Sequence, residues 1–326
     1  MPDSAAQILG IGGPLMDQII AVDESFIAEL SGHKGGATLI DYPDLEQILR
    51  TKKTQLHSVP GGSAANTLKG LVQLGHSCTL FGRVGSDYWG NYYAEKITHF
   101  GVQAHFSSSS TPTGHVICFV TPDGQRTMRA YAGASMELSG DDLPLEIFQG
   151  KHLVHIEGYT LYNANLTLRA MHLAKKAGAI VSFDLASFEL VGRYKAELNR
   201  LIKDYVDILF CNAEEAKALL DLAPYEACEE LSKYCQVAAV LLGADGAIIG
   251  DSTGIVHCPT KPVHAADTTG AGDLFACGYL HGYLNNQPKE ICCSYGARTG
   301  AAVVQVIGTD LSPDVWESIR QDLQKK

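Results

Sequence analysis

The segment Asp267-Thr-Thr-Gly-Ala-Gly-Asp273 runs from small glycines straight into an apolar helical pattern that continues to Leu284. At a helix N-terminus, unpaired backbone N–H groups and the helix dipole attract an anion. A carboxylate at Asp273, beside a bound phosphate, suits a base that accepts the proton of an attacking hydroxyl. Taken alone, the segment is equally typical of a tight turn followed by a favourable first-turn acid. The amides of this predicted anion hole belong to Gly270, Ala271 and Gly272.

Short apolar runs alternate with helical patterns through most of the remaining chain. This alternation predicts an α/β fold with a mainly parallel central sheet and helices on both faces. With 326 residues, of which 46% are hydrophobic and 19% charged, the chain can form one large core, so we predict a single domain over 1–326. The strand-like runs are Ile8–Ile11, Thr79–Val84, His115–Thr121, His152–Ile156, Ile180–Asp184, Asp207–Cys211 and Ala238–Leu242.

Two stretches break the alternation. The stretch from Asp17 to Pro60 lacks a clean buried strand, and His115–Ala132 reads as a hairpin that turns at Pro122-Asp-Gly124. Together they predict a small β-rich lobe formed by about 18–60 and 103–132. Such a lobe near the strand ends could close as a lid and exclude water, although an ordinary surface hairpin gives the same pattern.

Bulk composition excludes several classes of protein. The formal net charge is −11 and no Lys/Arg-dense run occurs, which argues against a nucleic-acid binder. No run of about 18 apolar residues and no basic leader at Met1–Gln7 is present, so we expect no membrane association and a cytoplasmic location. The nine cysteines lack Cys-x-x-Cys spacing and are expected to be reduced core thiols rather than a zinc site.

Three further polar clusters lie at turns. Gly61-Gly62 leads into a helix that carries Asn66, and exposed backbone beside an amide side chain suits a hydroxyl-rich ligand. Asp17, after the first strand, could accept from two adjacent hydroxyls. Asn212, with Glu215 three residues later, reads as a helix cap, and the acid could also hold Mg²⁺ through water. For Ser63 a helix cap, and for Asp17 a solvated turn acid, are the plain alternatives.

The common nucleotide fingerprints are missing. Leu15 stands where a dinucleotide-binding Gly-x-Gly-x-x-Gly motif needs its third glycine, and Pro14 would disturb the helix start, which disfavours a nicotinamide-dependent oxidoreductase. No Gly-x-x-x-x-Gly-Lys-Ser/Thr occurs either, which excludes a P-loop enzyme.

The clusters in this order resemble the ribokinase-like carbohydrate and nucleoside kinases, the PfkB family, from about Ile8 to about Gly308. The motifs that carry the resemblance are Gly61-Gly62…Asn66, Phe81-Gly-Arg-Val-Gly-Ser-Asp87…Gly90, Asn212…Glu215 and Asp267–Asp273. The resemblance implies a ribokinase-like three-layer sandwich with a small lid lobe, and ATP with Mg²⁺ as cofactors.

The resemblance also implies a role for each matching residue. Asp273 would be the base, with Gly270, Ala271 and Gly272 as the anion hole. Asp17, Gly61, Gly62 and Asn66 would bind the acceptor, and Arg126 would reach the phosphates from the lid, unless it is an ordinary exposed hairpin arginine. Asn212 and Glu215 would organise Mg²⁺ and phosphate, and Gly243 and Gly246 would lie along ATP, although Leu242 precedes Gly243 where a Thr is common. Asp267 and Thr269 would help to hold an activating K⁺.

The acceptor is less specified. Gly12-Gly13-Pro-Leu-Met-Asp17 resembles the Gly-Asn-Pro-Leu-x-Asp opening of adenosine kinases, with Gly13 in place of the Asn, and Ser63 stands where ribokinases usually carry Lys. We therefore expect a kinase for an adenosine-like ribonucleoside. A kinase for free ribose or fructose and a non-catalytic nucleoside or sugar sensor are the alternatives. A homodimer through edge strands of the lobe is also compatible with the sequence.

Overall fold

The computed structural model describes residues 5–30, 34, 36–51, 57–123 and 125–324. The strands are β1 (Gln7–Ile11), β2 (Leu15–Ala21), β3 (Ala37–Leu39), β4 (His57–Gly61), β5 (Ser77–Gly85), β6 (Gln103–Ser109), β7 (Gly114–Val120), β8 (Arg126–Tyr131), β9 (Leu153–Glu157), β10 (Ile180–Asp184), β11 (Ile208–Asn212), β12 (Val237–Leu241), β13 (Ala247–Asp251) and β14 (Gly254–Cys258). The α-helices are α1 (Glu24–Glu29), α2 (Tyr42–Thr51), α3 (Ser63–Gln73), α4 (Tyr88–His99), α5 (Ala164–Lys176), α6 (Phe188–Tyr205), α7 (Ala213–Leu220), α8 (Pro224–Leu231), α9 (Ala271–Leu284), α10 (Lys289–Val303) and α11 (Pro313–Gln324).

The large sheet has the order β14-β13-β12-β11-β10-β9-β1-β5-β6. The pairs from β6 to β12 are parallel, and β13 and β14 add antiparallel strands at one edge. β9 is buried along its whole length, as a strand covered on both faces must be. The predicted α/β fold with a mainly parallel central sheet is confirmed.

Helices cover both faces of this sheet and form two cores. On β9, Val154 belongs to the core beneath α5, α6, α7 and α8, whereas its neighbour Leu153 belongs to the core beneath α3, α9, α10 and α11. Alternate side chains of a strand point to opposite faces, so one short apolar strand serves both layers. The result is a three-layer sandwich.

A small second sheet, in the order β3-β8-β7-β2-β4, lies outside the sandwich. β7 and β8 form the predicted antiparallel hairpin, whose Gly124 lies outside the described residues, as does part of 18–60. β2 alternates half-buried and buried residues, so one face, around Ile20, packs on α1 and α2. Our assignment of 103–132 to the lobe is corrected at its start, because β6 pairs with β5 as an edge strand of the large sheet.

The catalytic candidates cluster where strands of the large sheet end. Glu157 ends β9, Asp184 ends β10 and Asn212 ends β11. Carboxyl ends of parallel strands share one edge of a sheet, which is where ligands of such folds bind. α9, which carries Asp273 in its first turn, packs antiparallel to α10 through glycines such as Gly278.

Two other observations bear on the bulk predictions. All nine cysteines have free thiols, and all but Cys258 are buried. Among the described residues, none of the helices combines the length and the apolarity that crossing a bilayer requires.

Two helical Gly→Ala substitutions should change stability in opposite directions. A Cβ at Gly278 would collide with the side chain of Thr299 and the backbone of Tyr295 on α10, so Gly278→Ala should lower the free energy of unfolding by about 1–3 kcal/mol. Gly192, within α6, faces open space, so Gly192→Ala should raise it by about 0.5–1 kcal/mol through helix propensity. Chemical denaturation measures both, and equal effects would show that α9 and α10 are not in close contact.

Candidate active site

The Asp273 carboxylate is held by two donors from α3. The Ser63 hydroxyl donates to Oδ1 at 2.8 Å, and the Asn66 amide donates from Nδ2 to Oδ2 at 2.8 Å. Gly62, with φ of 99°, is the helix N-cap, so Ser63 is the first helical residue and its hydroxyl turns to Asp273 instead of capping the helix. The structure therefore brings together the two glycine-led segments that the sequence showed separately.

Burial and hydrogen bonding act on Asp273 in opposite directions. Burial raises the pKa of the Asp273 carboxyl above its ordinary value. The hydrogen bonds from Asn66 and Ser63, and the positive charge of Lys69, lower it in part. A carboxylate in this state is a stronger proton acceptor than an exposed aspartate, yet it is kept ionised by its donors.

The first turn of α9 contains the residues predicted to form an anion hole. Gly270 is the helix N-cap in the left-handed region, with φ of 70°, and a Cβ there would lie 2.6 Å from Cγ2 of Thr309. No heavy atom lies within 4 Å of a Cβ at Gly272, so a ligand can approach that backbone. The Ala271 N–H donates to the Thr268 carbonyl oxygen at 3.3 Å. The Gly272 N–H, which has no acceptor within the helix, suits a phosphate oxygen.

Asp17 faces the same pocket from the small sheet. Gly61 lies against its carboxylate, and any Cβ at Gly61 would overlap it, which explains one glycine of the pair. A Cβ at Gly62 would lie 2.5 Å from the carbonyl oxygen of Gly13, which explains the other. Burial raises the pKa of Asp17 to about 7, although the charges of Lys69 and Arg126 oppose the shift. A buried acceptor of this kind suits ligand hydroxyls.

Glu157, which we did not predict, ties the pocket together. Its carboxylate accepts from the backbone N–H of Gly13 at 2.7 Å and from that of Ala64 at 2.9 Å, so it joins the turn before β2 to the start of α3. Glu157 is 2% exposed, and burial raises its pKa to about 7. The signal in the sequence was a single acid directly after the apolar run His152–Ile156.

Asn212 and Glu215 form a reciprocal cap at the start of α7. The Glu215 carboxylate accepts from the backbone N–H and the side-chain amide of Asn212, both at 2.8 Å, and Asn212 Oδ1 accepts from the Glu215 N–H at 2.9 Å. Burial raises the pKa of Glu215 to about 7, and burial together with the charge of Glu215 raises that of Asp184.

The acid pair fits a water-shelled Mg²⁺. A cation beside the two carboxylates would offset the burial and the charge of Glu215 that raise the pKa of Asp184. In the described part of the chain, no group of three or more His, Cys, Asp or Glu side chains could hold a metal directly. Asp184 and Glu215 would therefore hold Mg²⁺ through water, as is usual when phosphates supply the remaining ligands.

The two glycines predicted to lie along ATP have different environments. Gly246, with φ of 92°, closes a turn in which a Cβ would collide with the backbone of Cys258, so its own fold requires glycine. Gly243, with φ of 61°, faces open space, which leaves its backbone accessible. Only Gly243 has the accessibility that a nucleotide contact needs.

Arg126 and Asp267 form a buried ion pair. Arg126 Nε lies 2.9 Å from Asp267 Oδ1, and the two side chains are 15% and 1% exposed. Asp267 Oδ1 also accepts from the N–H and hydroxyl of Thr269, at 2.9 and 2.6 Å, and Oδ2 accepts from the Gly308 N–H at 2.8 Å. Arg126 thus connects the small sheet to the anion-hole segment.

The predicted K⁺ site shares its carboxylate with Arg126. Asp267 Oδ1 accepts from Arg126 and twice from Thr269, whereas Oδ2, within the part of the chain that the structure describes, accepts only from Gly308. The positive charge beside Asp267 comes from Arg126, which argues against a second cation there. The assignment of Asp267 and Thr269 as K⁺ ligands stays a prediction.

Comparisons with known proteins agree with this geometry. A family model described as pfkB family carbohydrate kinase matches residues 34–316. Mouse ribokinase is 29% identical over 269 residues, covering 77% of this chain and 80% of the mouse protein. The nucleoside kinase of Methanothermobacter thermautotrophicus is 24% identical over 319 residues, covering 96% and 94%.

Solved structures give the same result over a longer part of the chain. The adenosine kinase from Sinorhizobium meliloti is 30% identical, with a TM-score of 0.90 over 98% of this chain and 100% of that one. A probable sugar kinase from Rhizobium etli is 29% identical, with a TM-score of 0.90 over 98% and 99%. The predicted family and enzyme class are confirmed, and this chain belongs to the pfkB family of carbohydrate kinases.

Proposed function

We propose that the protein transfers the γ-phosphoryl group of ATP to the primary hydroxymethyl of an adenosine-like ribonucleoside, with Asp273 as the base. The observation that carries the proposal is the buried Asp273 carboxylate, held by Ser63 and Asn66 in the first turn of α9. A binding protein without turnover has no use for such a base beside a phosphate site. This argues against the alternative of a non-catalytic sensor.

The chain's own groups supply most of the chemistry. Asp17 and the backbone at Gly61 and Gly62 bind the acceptor hydroxyls and direct the primary hydroxyl toward Asp273. Asp273 accepts the proton as the oxygen attacks phosphorus, and the amides of residues 270–272 stabilise charge on the transferring group. The small sheet excludes water by closing over the pocket as a lid.

ATP and Mg²⁺ are the cofactors that the pocket suits. Bound near Asp184 and Glu215, Mg²⁺ would neutralise charge on the phosphates of ATP. Gly243 offers open backbone at the turn after β12, where the nucleotide would lie.

Exposed aromatic and apolar surface favours a nucleoside over a free sugar. Tyr159, two residues beyond Glu157, is 41% exposed, and burial together with the charges of Glu157, Asp184 and Asp273 raises the pKa of its hydroxyl. Met136, 46% exposed, follows Ser135, whose side chain lies beside Gly13 at the pocket. A planar base can cover such surface, whereas a free sugar has less apolar area to do so. The adenosine kinase among the structural neighbours is consistent with this choice.

A kinase for a free sugar is the second candidate, supported by the likeness to mouse ribokinase. An assay of ADP release with ATP and Mg²⁺ separates the two. We expect turnover with adenosine to exceed turnover with ribose or fructose. Turnover only with a free sugar would replace the acceptor and keep the mechanism, and the absence of ATP consumption with every acceptor would refute the proposal.

Asp273→Asn should lower kcat by about 10²–10⁴-fold, because the amide cannot accept the proton. The KM for ATP should change little. Because burial raises the pKa of Asp273, the wild-type kcat/KM should begin to fall on acidification at a higher pH than it would if the base were an exposed carboxylate. Above the pKa of Asp273, kcat/KM should reach its full value. Steady-state kinetics across pH test this, and near-normal turnover of the variant would remove Asp273 from the mechanism.

Turnover should not depend on K⁺, because Arg126 already supplies the charge at Asp267. We expect equal kcat in potassium chloride and in tetramethylammonium chloride. Strong activation of the wild type by K⁺ alone would contradict this assignment.

Arg126→Met should lower the free energy of unfolding by about 3 kcal/mol, since it leaves the buried Asp267 carboxylate without its counter-charge. Arg126→Lys, which keeps the charge, is the matched control.

A further inference from the structure

A chain of hydrogen bonds leads away from Asp273 to a buried lysine. Asn66 donates from Nδ2 to Asp273, and its Oδ1 accepts from the Thr309 hydroxyl at 2.9 Å. The Thr309 oxygen in turn accepts from Lys69 Nζ at 3.2 Å. Asn66, Thr309 and Lys69 are 4%, 4% and 5% exposed. We call this chain of Lys69, Thr309 and Asn66 the relay.

The chemistry of its two ends fixes the direction of the relay. An ammonium group only donates, so the Thr309 oxygen must accept from Lys69 and its own hydrogen must go elsewhere. The Thr309 hydroxyl must therefore donate to an acceptor, and Asn66 offers one only if its carbonyl oxygen faces Thr309. The NH₂ side then points at Asp273, whose carboxylate accepts it. A flipped Asn66 would place oxygen against carboxylate and NH₂ against hydroxyl.

Lys69 is held so that it cannot change this direction. Beyond Thr309, its ammonium donates to the backbone carbonyl of Pro60 at 2.9 Å and to Asp310 Oδ1 at 2.7 Å, which uses all three of its hydrogens. The ammonium also lies 5.1 Å from the centre of the Phe100 ring. These partners offset the cost of burying its charge. A lysine in this setting, whose donors all contact protein groups, has a structural or electrostatic role rather than a ligand-binding one.

We propose that Lys69 and Thr309 are positioning residues, which fix the orientation of the Asn66 amide and thereby prepare the ionised Asp273 carboxylate for phosphoryl transfer. This inference rests on the proposed function, because it assigns a role in that reaction. The relay runs from α3 to the turn before α11 and back to α3 before it reaches α9. Two segments distant in sequence, α3 and the turn before α11, therefore set the state of a carboxylate on a third, α9.

Several charged groups face Asp273 from the surrounding elements. They are Lys69 on α3, Asp17 on β2, Glu157 on β9 and Asp184 on β10. Lys69 acts on Asp17 as well as on Asp273, so a change at Lys69 alters two acids at once. Thr309 is uncharged and hydrogen-bonds to Asn66, which makes it the more selective site for a test.

The experiment compares Thr309→Val with Thr309→Ser in the full-length enzyme. Valine keeps the shape of threonine and removes the hydroxyl, so the Asn66 amide loses the bond that fixes it. We expect kcat to fall by about 10-fold or more, with the KM for ATP changed less than twofold, and the acid limb of kcat/KM to move up by about 0.5–1 pH unit, as expected when a donor to a carboxylate weakens. Thr309→Ser restores the hydroxyl and should restore both values.

A merely structural Thr309 gives a different result. Thermal unfolding would then show that Thr309→Val is destabilised, while the folded protein keeps the wild-type acid limb of kcat/KM. That result would overturn the proposal. Equal impairment of the serine and valine variants would overturn it too. Thr309→Ala, which only removes atoms, takes the place of the valine variant if that variant does not fold. An inactive wild type would refute the proposed function, whereas an active wild type with an unmoved acid limb in Thr309→Val refutes only the relay.

Discussion

The Asp273 carboxylate is buried, yet its proposed role as a base beside phosphates requires it to carry a negative charge. At Asp17, Glu157 and Asp184, burial and, to a smaller extent, the charge of Asp273 raise the pKa of the carboxyl. At Asp273 itself, burial disfavours the charged form. The protein offsets this with oriented donors from Ser63 and Asn66 and with the buried cation of Lys69. Many of the contacts in the pocket serve to keep the buried Asp273 carboxylate both ionised and basic.

The pocket also requires chain segments to pack closely against the backbone of their neighbours, and this explains most of the glycines in the motifs. Glu157 binds two backbone N–H groups at once, and the carbonyl of Gly13 lies where a side chain at Gly62 would be. Such contacts bring β2 of the small sheet against the start of α3. The proposed acceptor pocket and the donors that hold Asp273 therefore share α3, and movement of the small sheet would be transmitted to both.

The fold and the central motif could be predicted because they depend on local patterns. Alternating apolar runs identified the parallel sheet, and the glycine run before Asp273 identified the helix N-terminus. Glu157, Lys69 and Thr309 escaped prediction because their importance comes from contacts between distant segments, such as the 240 residues between Lys69 and Thr309. For the same reason the Arg126–Asp267 ion pair was not predicted, and β6 was assigned to the small lobe.

A structure of the enzyme with adenosine and a non-hydrolysable ATP analogue would test the central claim most directly, through the distance from the Asp273 carboxylate to the acceptor oxygen. The account predicts that the primary hydroxyl lies within about 2.6–3.2 Å of that carboxylate, with the terminal phosphate at the first turn of α9. A phosphate bound elsewhere, or a hydroxyl that faces another residue while Asp273 stays bound only to Ser63 and Asn66, would contradict it.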